Sequence, residues 1–86
     1  MYRIFYGRRI QEDLDKIPNV DAEKIHRAVK ALSLDVLPFG VKKLSGKDNL
    51  YRIREGDYRV VYAINHKDKE LKIILINHRK ESYRNL

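Results

Sequence analysis

The fold is decided by residues 50–64, which read LYRIREGDYRVVYAI. Polar and apolar side chains alternate on both sides of Gly56-Asp57, a pair typical of a two-residue hairpin loop in which glycine supplies a positive φ. Such a loop fixes the register of the two strands and places Arg54 opposite Arg59. One face then forms the predicted core, with Tyr51, Ile53, Val60, Tyr62 and Ile64.

The alternation brings Arg52, Arg54 and Arg59 together on the opposite face of this hairpin. Like charges directly across two strands are destabilising, by about 1 kcal/mol in water at a separation of roughly 5 Å. An anionic ligand would offset this repulsion, and the planar guanidinium matches the oxygens of a phosphate. The alternative is a solvent-exposed face whose charges pair with neighbouring carboxylates such as Asp57 and Glu81.

The chain before this hairpin predicts a strand followed by two helices. Residues 2–6 are aromatic and apolar and indicate a first strand, which Gly7 closes. The stripe of the first helix consists of Ile10, Leu14 and Ile17. Pro18 prevents that helix from continuing, and Asp21 is the predicted N-cap of a second helix that reaches residue 35. The stripe of the second helix consists of Ile25, Val29, Leu32 and Val36.

A further strand, antiparallel to the second strand of the hairpin, is predicted at residues 71–77, after a turn at residues 66–69. Unbroken alternation would place Leu71, Ile73 and Leu75 on the core face, and Lys72, Ile74, Ile76 and His78 beside the arginines. Because Arg79 follows directly, a cationic cluster with one imidazole is expected at this end of the sheet. The expected fold class is α+β, with an N-terminal strand and a helical hairpin on one face of an antiparallel sheet and a short C-terminal helical turn.

Composition narrows the classes of function. The 86 residues predict one domain, residues 1–86, and 19 Lys and Arg against 12 Asp and Glu give a charge of +7, which favours a polyanion or an acidic protein as partner. Cysteine is absent, which excludes disulfides, thiolate zinc sites and a cysteine nucleophile. The three histidines are scattered, so neither a metal site nor a cofactor is predicted. The apolar run at residues 73–76 is too short to span a membrane, and the expected location is the cytoplasm.

Three further residues are candidates by position. Lys43 lies in a predicted loop before the hairpin, where it could bind a backbone phosphate or simply be solvated. His78 is the one histidine that the pattern places near the arginines, although a lone histidine is more often structural. Tyr83 lies four residues after Arg79, so a helical turn would place both on one side. That tyrosine could anchor the tail, stack on a base or handle a proton.

Four segments together resemble the RelE/ParE superfamily of toxins from prokaryotic toxin-antitoxin modules. They are residues 43–46 (KLSG), 50–54 (LYRIR), 56–62 (GDYRVVY) and 77–84 (NHRKESYR). The His-Arg pair and the late tyrosine of the last segment are typical of the RelE branch. The resemblance covers nearly the whole chain, including the first strand and the helical hairpin.

This resemblance implies a ribosome-dependent messenger RNA endonuclease that is neutralised by a cognate RelB-like antitoxin, with the 70S ribosome and messenger RNA as its other partners. In this family the ribose 2′-hydroxyl attacks the adjacent phosphate without a metal, leaving a 2′,3′-cyclic phosphate and a 5′-hydroxyl. By motif, Arg59 would stabilise the developing charge, and Arg79 would do likewise or assist the leaving group. Tyr83 would stack on the nucleotide or orient it. Arg52 and Arg54 occupy positions that are basic, often lysine, in this family.

The general base is left open by these residues. Arginine stays protonated in proteins, so Arg52 and Arg54 cannot accept the proton. His78 is one candidate base, and the alternative is a reaction carried by positioning and charge stabilisation. Two other functions fit the same pattern: a ParE-like inhibitor of DNA gyrase and a noncatalytic RNA-binding module.

Overall fold

The computed structural model describes residues 1–44 and 49–81. Within these ranges, five strands form one sheet and two helices pack on one face of it. The strands are β1 (Arg3–Tyr6), β2 (Lys42–Lys43), β3 (Leu50–Glu55), β4 (Tyr58–Asn65) and β5 (Glu70–His78), and the helices are α1 (Ile10–Asp15) and α2 (Asn19–Leu32). The strand order is β1-β5-β4-β3-β2, with β1 parallel to β5 and the other pairs antiparallel. The predicted α+β fold is confirmed.

The hairpin of β3 and β4 has the predicted register, and Arg54 lies opposite Arg59. Gly56 has a φ of 60°, as the first central position of a primed turn requires. The predicted core residues of this hairpin pack against both helices. The buried cluster contains Ile10, Ile17, Ile25, Val29, Leu32, Ile53, Val60, Tyr62, Ile64, Leu71, Ile73 and Ile76.

A β-bulge interrupts the pairing of β4 with β5. Tyr62 lies opposite Ile73, whereas the preceding residue, Val61, lies opposite Leu75. Ile74 is therefore an additional residue of β5 at this point. A shift of one residue moves every following side chain of that strand to the other face of the sheet.

The bulge overturns three predicted positions in the second half of β5. Ile76 lies opposite Val60 and joins the core, with 3% of its surface exposed. His78 lies opposite Tyr58, also on the helix side of the sheet. Leu75 lies on the arginine face, although the alternation predicted it in the core. His78 is thus directed away from the arginines that it was expected to accompany.

The helices match the predicted stripes but differ at their ends. The first bond of α2 runs from the N–H of Ala22 to the carbonyl oxygen of Pro18, so Pro18 is the N-cap and the predicted cap, Asp21, lies inside the first turn. The helix ends at Leu32 instead of residue 35, and Val36 packs against the core from the following loop. Residues 79–81 form a turn, and the remainder of the predicted C-terminal helical turn lies outside the described residues.

Candidate functional site

A strongly basic depression lies at one end of the sheet, on the face opposite the helices. Its volume is about 470 Å³, and the described residues that line it are Arg52, Arg54, Arg59, Arg79 and Lys80. We call it the cationic depression. No carboxylate among the described residues lines it. The depression is therefore suited to an anion with several oxygens, such as a phosphate diester.

The hairpin brings three of these arginines together. Arg52 and Arg54 are two residues apart on β3 and share a face, and the register adds Arg59 from β4. The Nε of Arg52 is buried and has no hydrogen-bond partner among the described residues. A buried, unpaired donor is unfavourable in the free protein.

Arg59 is joined to the chain segment after β5. Its Nη2 donates to the carbonyl oxygen of His78 at 3.2 Å and to that of Glu81. The guanidinium of Arg59 therefore fixes the backbone that carries Arg79 and Lys80, besides adding charge to the cationic depression. The predicted grouping of Arg52, Arg54, Arg59 and Arg79 agrees with this arrangement.

Arg79 is oriented by the hairpin loop. Its N–H donates to the carbonyl oxygen of Asp57 at 2.7 Å, and its Nε lies 3.4 Å from Oδ1 of the same residue. The carboxylate of Asp57 approaches Nε. The two Nη groups of the guanidinium carry four further N–H donors, which can bind the oxygens of a phosphate.

His78 lies apart from the cationic depression. Its ring packs edge to face on that of Tyr58, with 5.4 Å between centroids, and lines a separate cavity of about 290 Å³ together with Asp13 and Lys16. Its Nδ1 accepts a hydrogen bond from the N–H of Lys80 at 3.2 Å. The expectation that His78 sits beside the arginines is wrong, because the β-bulge moves it to the helix side.

The lysines also differ from the prediction. Lys43 belongs to β2 instead of a loop, is exposed, and lies opposite Tyr51 on the helix side of the sheet. Its neighbour Lys42 lies opposite Arg52 and so shares the arginine face. Lys80 lines the cationic depression and was not among the candidates, although its position directly after Arg79 was a usable signal. Tyr83 lies outside the described residues.

An apolar groove adjoins the cationic depression. It has a volume of about 370 Å³ and lies between the C-terminal half of α2, the following loop and β3. Its lining includes Leu32, Ile53 and Phe39, and the side chain of Phe39 is fully exposed. Arg54 lines both the groove and the cationic depression. The two surfaces are therefore continuous through one arginine.

Two classes of site find no support in residues 1–44 and 49–81. No group of three or more His, Asp or Glu side chains there is placed to hold a metal ion. No helix in this part of the chain is long and apolar enough to cross a membrane. The chemistry that the cationic depression itself offers is the binding of oxyanions and the stabilisation of negative charge, since arginine does not accept a proton.

Comparisons with known proteins agree with this geometry. The family described as the ParE toxin of type II toxin-antitoxin system, parDE, matches residues 2–83. The putative toxin RelE1 of Methanocaldococcus jannaschii is 31% identical over 98% of this chain and 97% of its own length. Both matches span the sheet, the helices and the cationic depression.

Two solved structures share the fold over nearly their full length. The archaeal RelE–RelB complex from Pyrococcus horikoshii has a TM-score of 0.81 and 32% identity, and covers 94% of this chain and 98% of the solved chain. The toxin-antitoxin complex RelBE2 from Mycobacterium tuberculosis has a TM-score of 0.78 and 25% identity, with coverage of 91% and 98%. Both similar chains were solved as toxin-antitoxin complexes.

Proposed function

The chain belongs to the RelE/ParE superfamily of toxins from type II toxin-antitoxin systems, and from this premise we propose that it is a ribosome-dependent endonuclease of messenger RNA. The observation that carries the proposal is the cationic depression, whose described lining is arginine and lysine without a carboxylate. Such a surface favours a phosphate diester over a neutral or cationic substrate. The names of the similar proteins described above, RelE1, RelE and RelBE2, favour the ribonuclease branch.

The proposed reaction needs no metal. The ribose 2′-oxygen forms a bond to the adjacent phosphorus, the bond from phosphorus to the 5′-oxygen breaks, and a 2′,3′-cyclic phosphate remains. The 2′-hydroxyl proton passes to the solvent of the decoding site, and the 5′-oxygen takes up a proton there. The guanidinium groups supply fixed positive charge where the phosphorane becomes most negative. Removal of one such donor from an active site typically lowers the reaction rate by about 10²–10³-fold.

The four arginines and Tyr83 each have a role in this proposal. Arg79 contacts the reacting phosphate through its Nη groups, and Arg59 adds charge close to it. Arg52 and Arg54 bind the flanking phosphates, and Tyr83 orients the nucleotide as in the family. His78 is not proposed as the base, because its ring lines the cavity on the helix side and its Nδ1 already accepts the N–H of Lys80.

A RelB-like antitoxin is the proposed protein partner. The cationic depression and the apolar groove share Arg54, so a segment with both acidic and apolar side chains would cover them together. Occupation of Arg54 by an antitoxin carboxylate would remove one phosphate ligand. The complexes of RelE with RelB from Pyrococcus horikoshii and of RelBE2 support a partner of this kind.

The decisive experiment is single-turnover cleavage of a defined messenger on programmed 70S ribosomes, with 5′ ends mapped. We expect Arg79→Ala to lower the rate constant by about 10²-fold or more. Arg27→Ala is the matched control, since it removes an exposed arginine of α2, away from the cationic depression. Equal rates for wild type and Arg79→Ala would contradict the proposed mechanism.

A gyrase inhibitor is the second candidate function, because the matching family is described as ParE. DNA breakage after brief induction, with messenger RNA of full length, would select it. Salt-dependent RNA binding without any product on programmed ribosomes would instead select a noncatalytic RNA-binding module.

A further inference from the structure

The turn of residues 78–81 presents two cations to the cationic depression. The N–H of Glu81 donates to the carbonyl oxygen of His78 at 2.9 Å, which closes the turn after the end of β5. Its two central residues, Arg79 and Lys80, are exposed and line the depression. We call this segment the cation turn.

Side chains of the cation turn also bind its own backbone. Oε1 of Glu81 accepts the N–H of His78 at 2.9 Å, and Nδ1 of His78 accepts the N–H of Lys80 at 3.2 Å. From outside, Arg59 donates to the carbonyl oxygens of His78 and Glu81. The backbone around the two presented cations is therefore held by several independent hydrogen bonds.

Glu81 is informative because a carboxylate near a phosphate site repels the ligand. It lies two residues after Arg79, yet it does not line the cationic depression, and its carboxylate is engaged by the N–H of His78. Its negative charge opposes RNA binding, whereas its hydrogen bond orders the turn. These two effects predict opposite consequences when the side chain is removed.

Resting on the proposed function, we propose that Glu81 and His78 are positioning residues, which act through the cation turn to hold Arg79 and Lys80 toward the reacting phosphate. Long basic side chains on an unrestrained segment lose conformational entropy when they bind. A backbone that is already fixed reduces this loss and keeps the guanidinium within the narrow range of geometry that transition-state stabilisation requires. Glu81 thus favours the reaction despite its charge.

Two substitutions of Glu81 separate its effect on the geometry of the cation turn from the effect of its negative charge. Glu81→Ala and Glu81→Gln both remove the negative charge, but only glutamine keeps a side-chain oxygen that can accept the N–H of His78. We expect Glu81→Ala to lower the single-turnover rate constant at saturating ribosome by at least about tenfold, and Glu81→Gln to recover most of that loss. Glu23→Ala is the control, since it removes an exposed carboxylate of α2.

A second readout is independent of catalysis. Backbone amide order parameters of residues 79 and 80 should stay near about 0.85 in wild type and Glu81→Gln, and fall toward about 0.6 in Glu81→Ala. Parallel substitutions at His78 should follow the same rule, with His78→Leu losing order and His78→Asn, which keeps an acceptor, retaining more of it.

The outcomes separate this inference from the proposed function. Equal order parameters in Glu81→Ala and Glu81→Gln, or equal or faster cleavage by both, would overturn it. Should wild type cut no messenger, the ribonuclease proposal fails by itself. The inference then stands or falls on the order parameters and on affinity for a single-stranded RNA oligonucleotide, which Glu81→Ala must bind more weakly than Glu81→Gln.

Discussion

Arg79 is connected to Asp57 twice, through its backbone N–H at 2.7 Å from the carbonyl oxygen and through its Nε at 3.4 Å from Oδ1. The hairpin loop that sets the register of β3 and β4 therefore also orients a cation that follows β5. Three strands contribute to one cationic surface because their ends meet at the same end of the sheet. The cationic depression is consequently a product of the sheet and of this loop together.

We expect Asp57→Ala to affect activity more than stability. Both side chains of the ion pair are more than half exposed, and such pairs contribute about 0–1 kcal/mol to folding. Loss of the carboxylate frees the guanidinium of Arg79 to rotate, so cleavage on programmed ribosomes should slow by about tenfold or more. Urea unfolding measured alongside should shift little. Unchanged cleavage would show that Asp57 does not orient Arg79 during the reaction.

The salt dependence of RNA binding should distinguish the arginines of the cationic depression from Lys43. Each phosphate contact of a single-stranded RNA contributes about 0.7 to the slope of log affinity against log salt. Arg54→Ala should therefore reduce the slope by about that amount, whereas Lys43→Ala should leave it unchanged because Lys43 lies on the helix side. Binding titrations with an RNA oligonucleotide at several salt concentrations measure this. A reduced slope for Lys43→Ala would return that residue to the substrate site.

The arginine hairpin could be predicted because its information is local. A two-residue loop at Gly56-Asp57 allows one pairing of β3 with β4, and the alternation of side chains along both strands then assigns each of them to a face of the sheet. The β-bulge could not be predicted in the same way, since residues 73–76 read IILI and an unbroken apolar run carries no alternation. The prediction did not include the additional residue Ile74, and it therefore placed His78 and Ile76 on the wrong face of the sheet.

The cation turn combines local hydrogen bonds with contacts between residues that lie far apart in the chain. Arg59 reaches Glu81, 22 residues later in the chain, and the turn around Arg79 depends on the loop residue Asp57. The position of Lys80 directly after Arg79 was a signal in the sequence, but the fold is what places both side chains at the cationic depression. Tyr83 and its family role stay a prediction, because that residue lies outside the described ranges.

Asp13 should be a stabilising residue of β5. It is buried on α1, and its Oδ2 accepts the N–H of Ile76 at 3.1 Å, beyond the point where β1 stops pairing with β5. Asp13→Ala removes the acceptor of a buried donor and should lower the free energy of unfolding by about 1–3 kcal/mol. Asp13→Asn keeps an oxygen at this position and should lose less.

Urea unfolding of both Asp13 variants tests this expectation, with Asp15→Ala as the control because Asp15 is an exposed carboxylate of the same helix. Amide hydrogen exchange at Ile76 should accelerate in Asp13→Ala. Equal stability of Asp13→Ala and Asp15→Ala would mean that the bond to Ile76 adds nothing to folding.

The ionisation of Tyr62 should make the free energy of unfolding depend on pH in the alkaline range. Its side chain is fully buried and its hydroxyl donates to the carbonyl oxygen of Val36 at 2.6 Å. Burial raises the pKa of Tyr62 well above its ordinary value, and the charges of Tyr51 and Asp35 add to this. The folded protein thus holds this proton more tightly than the unfolded chain, so the stabilisation is present below the unfolded pKa of about 10 and is lost as pH rises beyond it.

Tyr62→Phe removes both the hydrogen bond and the ionisation. At about pH 8 it should lower the free energy of unfolding by about 1 kcal/mol, because the carbonyl oxygen of Val36 loses its donor. At about pH 11 the difference from wild type should shrink, since ionisation in the unfolded state destabilises only the protein that retains the phenol. The other tyrosines are common to both proteins, so their titration cancels in the comparison. Urea unfolding at the two pH values measures the change, and a difference that stays constant or widens would exclude Tyr62 as its source.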